Sequence, residues 1–139
     1  MIYQIENDSM KDRAIQITLV GMVLDMNVKN RRTGVIVIDH LEIADTFFKR
    51  FKGLMGRKNL SKLTGLKIDP CNSIHCFFMR IPIDVIFLSK DDVVVKAIHD
   101  MKPWRVSPIV KGARYVIEAN ALELAGKVEL GDMLEFIEE

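Results

Sequence analysis

Residues 31–137 form a succession of short runs rich in β-branched and aromatic side chains, cut by turn-forming pairs, and that rhythm confines the chain to β architecture. Thr33-Gly34 reads as a turn and residues 35–38 as a strand. Further strands are expected at residues 74–79, 85–88, 93–98, 115–117 and 133–137. Turn signals separate them: Ile81-Pro82-Ile83-Asp84, Ser89-Lys90-Asp91-Asp92 and Gly131-Asp132. The period changes once. Phe47, Phe48, Phe51, Leu54 and Met55 recur at helical spacing with Lys49, Arg50 and Lys52 between them, which predicts a helix burying the apolar stripe. Asp45 or Thr46 can cap its start by accepting from the orphan amides of the first turn, and Gly53 or Gly56 can end it. Residues 121–125 read as a single helical turn. Together these signals predict a mainly β fold, a small barrel or sandwich of short, mostly antiparallel strands with one amphipathic helix.

A chain of 139 residues, 49% hydrophobic and 28% charged, suits one domain with its own core. Residues 15–24 are apolar but too few to span a bilayer, which takes ~20 residues as a helix. A secretory signal also fits poorly. Glu6, Asp8 and Asp12 offset Lys11 and Arg13, and Asp25-Met26-Asn27 follows where small residues are required. Residues 1–26 are therefore an added strand or flap, or lie upstream of a true start at Met26, with a single β-rich domain over 27–139. The cysteines are Cys71 and Cys76. So apolar a core needs no disulfide, and reduced thiols in a cytoplasmic protein are expected.

Lys plus Arg number 20 against 19 Asp plus Glu, a balance that weighs against a dedicated nucleic-acid binder. The charge is nevertheless uneven. Residues 46–68 hold seven basic side chains and no acid, whereas residues 118–139 hold seven acids and one base. Either these are two solvated surface regions, or the basic segment is a weak site for nucleic acid or an acidic partner.

No glycine-rich phosphate loop, nucleophile elbow or zinc-protease helix occurs. The densest chemistry is Cys71-Asn72-Ser73-Ile74-His75-Cys76. A metal would need further ligands, such as His40 or His99, and on an extended strand His75 and Cys76 point to opposite faces, so no metal site is expected. Cys71 and His75 can be a nucleophile and base, or simply structural residues. Asp84 shares a strand face with Ile86 and Leu88, and a carboxylate there must be paired. Arg50, Arg80, Arg105 and His75 are the available partners; a structural clamp with Arg50 is favoured over catalysis.

Ala44-Asp45-Thr46, Arg50 and Gly53-Leu54-Met55-Gly56-Arg57 resemble the opening motif of an uncharacterised bacterial and archaeal family, domain of unknown function one-nine-two. Phe78-Met79-Arg80-Ile81-Pro82-Ile83-Asp84-Val85-Ile86-Phe87 is similar to that family's central motif. Lys102-Pro103-Trp104-Arg105, Ala113-Arg114-Tyr115-Val116-Ile117-Glu118 and Gly131-Asp132 follow in the family's order, so the likeness covers residues 31–137. Ala119-Asn120-Ala121-Leu122 departs from the Leu-Pro-Ala-Gly-like stretch usual there. The resemblance implies a compact β-rich fold with one short helix, and no activity, substrate or cofactor.

These readings predict a non-enzymatic module that binds a small molecule or partner protein in a pocket between helix and sheet. Its candidate residues are Arg50, His75, Asp84, Trp104 and Arg105, with no cofactor and no metal. A small enzyme using Asp84 with His75 or Cys71 is the alternative, and a weak nucleic-acid or acidic-partner binder using residues 46–68 a second one. A monomer or weak homo-oligomer without membrane contact is expected.

Overall fold

The computed structural model describes residues 26–44 and 46–138. The added strand or flap expected around residues 15–24 and the candidate cap Asp45 lie outside the described residues. The chain is mainly β and sandwich-like, with strands in two open sheets and no closed barrel among the described residues. Strands β1 (Met26–Asn30), β2 (Ile36–Ile38) and β8 (Leu134–Glu138) form the smaller sheet in the order β2-β1-β8. The larger sheet contains β3 (His40–Ala44), β4 (Thr64–Ile68), β5 (Ile83–Leu88), β6 (Val94–Met101) and β7 (Tyr115–Asn120). Its order is β3-β4-β7-β5-β6, antiparallel except for β3 against β4. Parallel neighbours need a crossover, and helix α1 (Phe47–Lys52) lies within it.

Every residue of β5 is buried, which is why its sequence is nearly unbroken apolar rather than alternating. One face, with Ile86, Leu88, Ile117 and Ala119, packs on Met26, Val28 and Leu134 of the smaller sheet. The other face, with Val85, Phe87 and Val116, is covered by Leu54, Ile74, Met79 and Val110 from the connecting segments. Fully burying each such side chain contributes roughly 1.5–3 kcal/mol, so these two layers hold the molecule together. Asp132, before β8, accepts from Asn30 Nδ2 (2.8 Å), Arg32 Nε (2.6 Å) and the Glu129 amide (2.8 Å). The Arg32 guanidinium holds that carboxyl well below the usual carboxylate range.

Three expectations are corrected. The helix spans six residues and buries none of them: Phe47, Phe48 and Phe51 are 78%, 73% and 59% exposed. Thr46 Oγ1 caps it by accepting from the Lys49 amide (3.2 Å), and Gly53, at φ +49°, ends it by donating to the Lys49 carbonyl. Leu54, which is buried, lies beyond that end, so helical periodicity no longer governs where it points. Residues 74–79 form an irregular ribbon with residues 104–110 rather than a strand. The Cys76 amide donates to the Arg105 carbonyl (2.7 Å), the Trp104 amide to the Cys76 carbonyl (2.7 Å) and the Ser107 amide to the Ile74 carbonyl (2.9 Å). Phe78 and Trp104 hold φ of +60° and +67°, which breaks the extended run on both sides. Hydrogen-bonded turns replace a helical turn after β7. Strands β1, β3 and β4 form where no strand was predicted, because Asn27, Lys29, Glu42 and Lys67 interrupt their apolar pattern. No described helix is long and apolar enough to cross a membrane.

Candidate functional site

Glu118 lies on the central strand β7, opposite Leu66 of β4 on one side and Val85 of β5 on the other. Cross-strand partners share a face, so this carboxyl projects into the apolar layer beneath the connecting segments. It is 4% exposed, and Oε2 has no hydrogen-bond partner. Burial pushes the carboxyl up to about 8, partly offset by the Arg57 guanidinium. Arg57 itself is committed to Glu42, donating to both carboxylate oxygens at 2.9 and 2.7 Å.

The end of α1 passes close to this group. A Cβ built on Gly53 would stand 3.7 Å from Glu118 Oε2 and 3.6 Å from Ile68 Cδ1. Between the helix end and the sheet is a cavity of about 50 Å³, walled by Arg50, Gly53, Cys71, His75, Met79 and Glu118 among others. Cys71 is half-buried and its Sγ donates to the Ser73 carbonyl (3.1 Å). Burial pushes its thiol up, away from the thiolate a nucleophile requires. The buried Cys76 thiol is pushed up to about 11. His75 Nδ1 accepts from the Phe77 amide (3.3 Å).

His75 also joins a row of rings at the cavity mouth. Ring centroids are 5.9 Å apart for Phe51–His75, 4.9 Å for His75–Phe77, 5.9 Å for Phe77–Trp104 and 4.9 Å for Phe78–Trp104. The fold therefore brings Arg50 and His75 to one cavity and places Trp104 two rings away. Arg105 is exposed and meets this region through its backbone carbonyl.

Asp84 is elsewhere. It is wholly buried on the opposite face of the sheet, where its Oδ1 accepts from the amides of Asp100 (2.9 Å) and Leu122 (2.7 Å). Its Oδ2 accepts from the Leu124 amide (3.0 Å) and lies 2.9 Å from His99 Nδ1. Four contacts fill the acceptor capacity of a carboxylate. The expected clamp with Arg50 is thus replaced by His99 and three backbone amides, because Asp84 faces the smaller sheet and Arg50 lines the cavity on the other side. For the same reason Asp84 does not meet His75 or Cys71.

Glu118 escaped the sequence reading, although a signal was there: it is the one carboxyl inside Tyr115-Val116-Ile117-Glu118-Ala119, an otherwise apolar central run. A larger, shallower concavity of about 550 Å³ lies between the sheets, bordered by Met26, Lys67, Glu135 and Phe136. Lys67 Nζ sits there 4.3 Å and 4.5 Å from the Tyr115 and Phe136 ring centroids. Its chemistry is less distinctive, since Glu135 is already engaged by Lys29 (3.4 Å) and Arg31 (3.5 Å). Among the described residues no three His, Cys, Asp or Glu side chains gather as a ligating cluster.

The segments carrying the family resemblance meet at the Glu118 cavity, through Arg50 and Gly53, through Met79, and through Glu118. The profile of the family DUF192, described as uncharacterized ACR, matches residues 26–136. A UPF0127 protein of Pyrococcus abyssi is 42% identical over 103 residues, which is 70% of this chain and 86% of the relative. A UPF0127 protein of Thermococcus sibiricus is 42% identical over 94 residues, 64% of this chain but only 60% of that relative's length. Among solved structures, a protein of unknown function from Novosphingobium aromaticivorans superposes with a TM-score of 0.69 at 25% identity, covering 81% of this chain and 84% of its own. A putative transcription regulator from Sinorhizobium meliloti shares the fold at TM-score 0.69 and 22% identity, covering 81% and 92%.

Proposed function

The chain belongs to the uncharacterized ACR family DUF192, and we propose that it is a ligand-binding module whose site is the cavity floored by Glu118. The observation that carries this reading is the unpartnered Oε2 of a wholly buried carboxyl beside an opening. A buried polar atom without a partner costs roughly 1–3 kcal/mol, which a ligand recovers if it brings a hydrogen bond. The neutral carboxyl can donate one bond and accept another, so an amide, alcohol or amine end of a small molecule or partner side chain suits it. About 50 Å³ admits such an end group and not a whole cofactor. The remainder of the ligand lies at the mouth, against Phe51 and His75 and within reach of the Arg50 charge.

An enzymatic role has less support. Asp84 lies on the far face, and the Cys71 thiol is held protonated. Native mass spectrometry of the protein released gently from cells tests the proposal. A small molecule bound to the wild type and lost from Glu118→Gln and Phe51→Ala supports it. Equal occupancy in Glu118→Gln contradicts it.

A further inference from the structure

We propose that the aromatic and basic face formed by α1 and by the ribbon of residues 72–79 and 102–110 docks onto an anionic phospholipid bilayer. This goes beyond the ligand cavity and replaces the expectation of a chain without membrane contact. The starting point is apolar exposure. Helix α1 turns Phe47, Phe48 and Phe51 outward, and the ring row continues through Phe77 and Trp104 to Phe78. On the same ribbon Val106 and Ile109 are also exposed, Ile109 at 77%. Soluble monomers seldom leave so many large apolar side chains together in water, and such a patch marks a contact surface.

Charge identifies the occupant. Helix α1 and the ribbon of residues 72–79 and 102–110, which build this face, carry Lys49, Arg50, Lys52, Lys102 and Arg105 and no Asp or Glu, and of these Lys102 pairs with Asp100 just outside the ribbon. Lys49, Lys52, Arg80 and Arg105 are exposed, and among the described residues no carboxylate pairs with them. A second copy of the chain is a poor occupant, because a twofold contact would set these cations against themselves. Single-stranded nucleic acid stacks on aromatic faces, but Val106 and Ile109 offer it nothing to stack on. An anionic bilayer matches both halves: Phe, Trp, Ile and Val enter the headgroup boundary while Lys and Arg meet the lipid charge.

Trp104 is the chain's single tryptophan and stands 60% exposed within the patch, so its emission reports contact directly. The full chain is mixed at low salt with phosphatidylcholine vesicles, and with vesicles in which a third of the lipid is phosphatidylglycerol. Expected are co-sedimentation and a blue shift of Trp104 emission with the phosphatidylglycerol vesicles only, reversed by added salt. Each exposed Lys adds about fivefold to such partitioning, so Lys49→Gln with Lys52→Gln should weaken it roughly tenfold to thirtyfold. Phe47→Ser with Phe48→Ser should abolish the shift while the melting temperature is unchanged, because both rings are already in water. No association with phosphatidylglycerol vesicles, or association without a Trp104 shift, overturns the proposal. So does a Trp104 response to oligo(dT) or poly(U) with none to vesicles, which would assign the face to nucleic acid.

Discussion

Gly53 ends α1 beside Glu118, its missing Cβ only 3.7 Å from the Oε2 atom that no hydrogen bond reaches. Gly53 adopts φ +49° and ψ −128°, a backbone conformation that L side chains rarely accept. Gly53→Ala should therefore cost about 1–3 kcal/mol of stability from strain and also narrow the cavity. Urea unfolding together with ligand occupancy checks both effects. A variant as stable as the wild type would mean that the helix end relaxes readily.

Glu118 makes stability depend on pH in an uncommon direction. Its native carboxyl, at about 8, holds a proton that the unfolded chain releases near the ordinary value of ~4.3. The contribution is fully present below that unfolded value and is lost progressively as pH rises toward 8. Unfolding free energy of the wild type should fall between about pH 5 and 8 relative to Glu118→Gln, which has no proton to lose. Parallel pH profiles would show that the carboxyl titrates normally.

Asp84 anchors the turn after β7 and the end of β6. Asp84→Ala strands the amides of Asp100, Leu122 and Leu124, with an expected cost of about 3–5 kcal/mol. In double-mutant cycles, His99→Ala should couple to Asp84→Ala, while Arg50→Met should add to it independently. Coupling to Arg50 instead would restore the clamp expected from sequence.

Phe51 and Leu54 separate mouth from core. Phe51→Ala should change stability by less than about 1 kcal/mol, whereas Leu54→Ala should cost about 2–5 kcal/mol. Equal losses in thermal melts would place Phe51 under cover.

The strands at β5, β6, β7 and β8 were legible because their β-branched runs and turn signals agree with the tertiary arrangement. The helix was legible in position but not in orientation. Phe47, Phe48 and Phe51 have helical spacing, which indicates an apolar stripe without indicating what covers it. The ribbon at residues 74–79 was misread because left-handed Phe78 and Trp104 leave no sequence signature comparable to glycine. Arg50 and His75, candidates from the sequence, both line the cavity. Glu118 was not among those candidates, since its significance depends on the register that sets it between Leu66 and Val85. Asp84 was rightly read as a buried carboxylate in need of partners. Those partners are largely backbone amides, which a search among side chains does not find.

The central claim, that the Glu118 cavity is the binding site, is tested most directly by a fragment screen followed by ¹H–¹⁵N NMR. Small amides, alcohols and amines should shift the amide resonances of Gly53, Leu54, Cys71 and Glu118, and the same fragments should leave Glu118→Gln unmoved. Shifts confined to the concavity around Met26, Lys67 and Phe136, or cavity shifts that persist in Glu118→Gln, would contradict the claim.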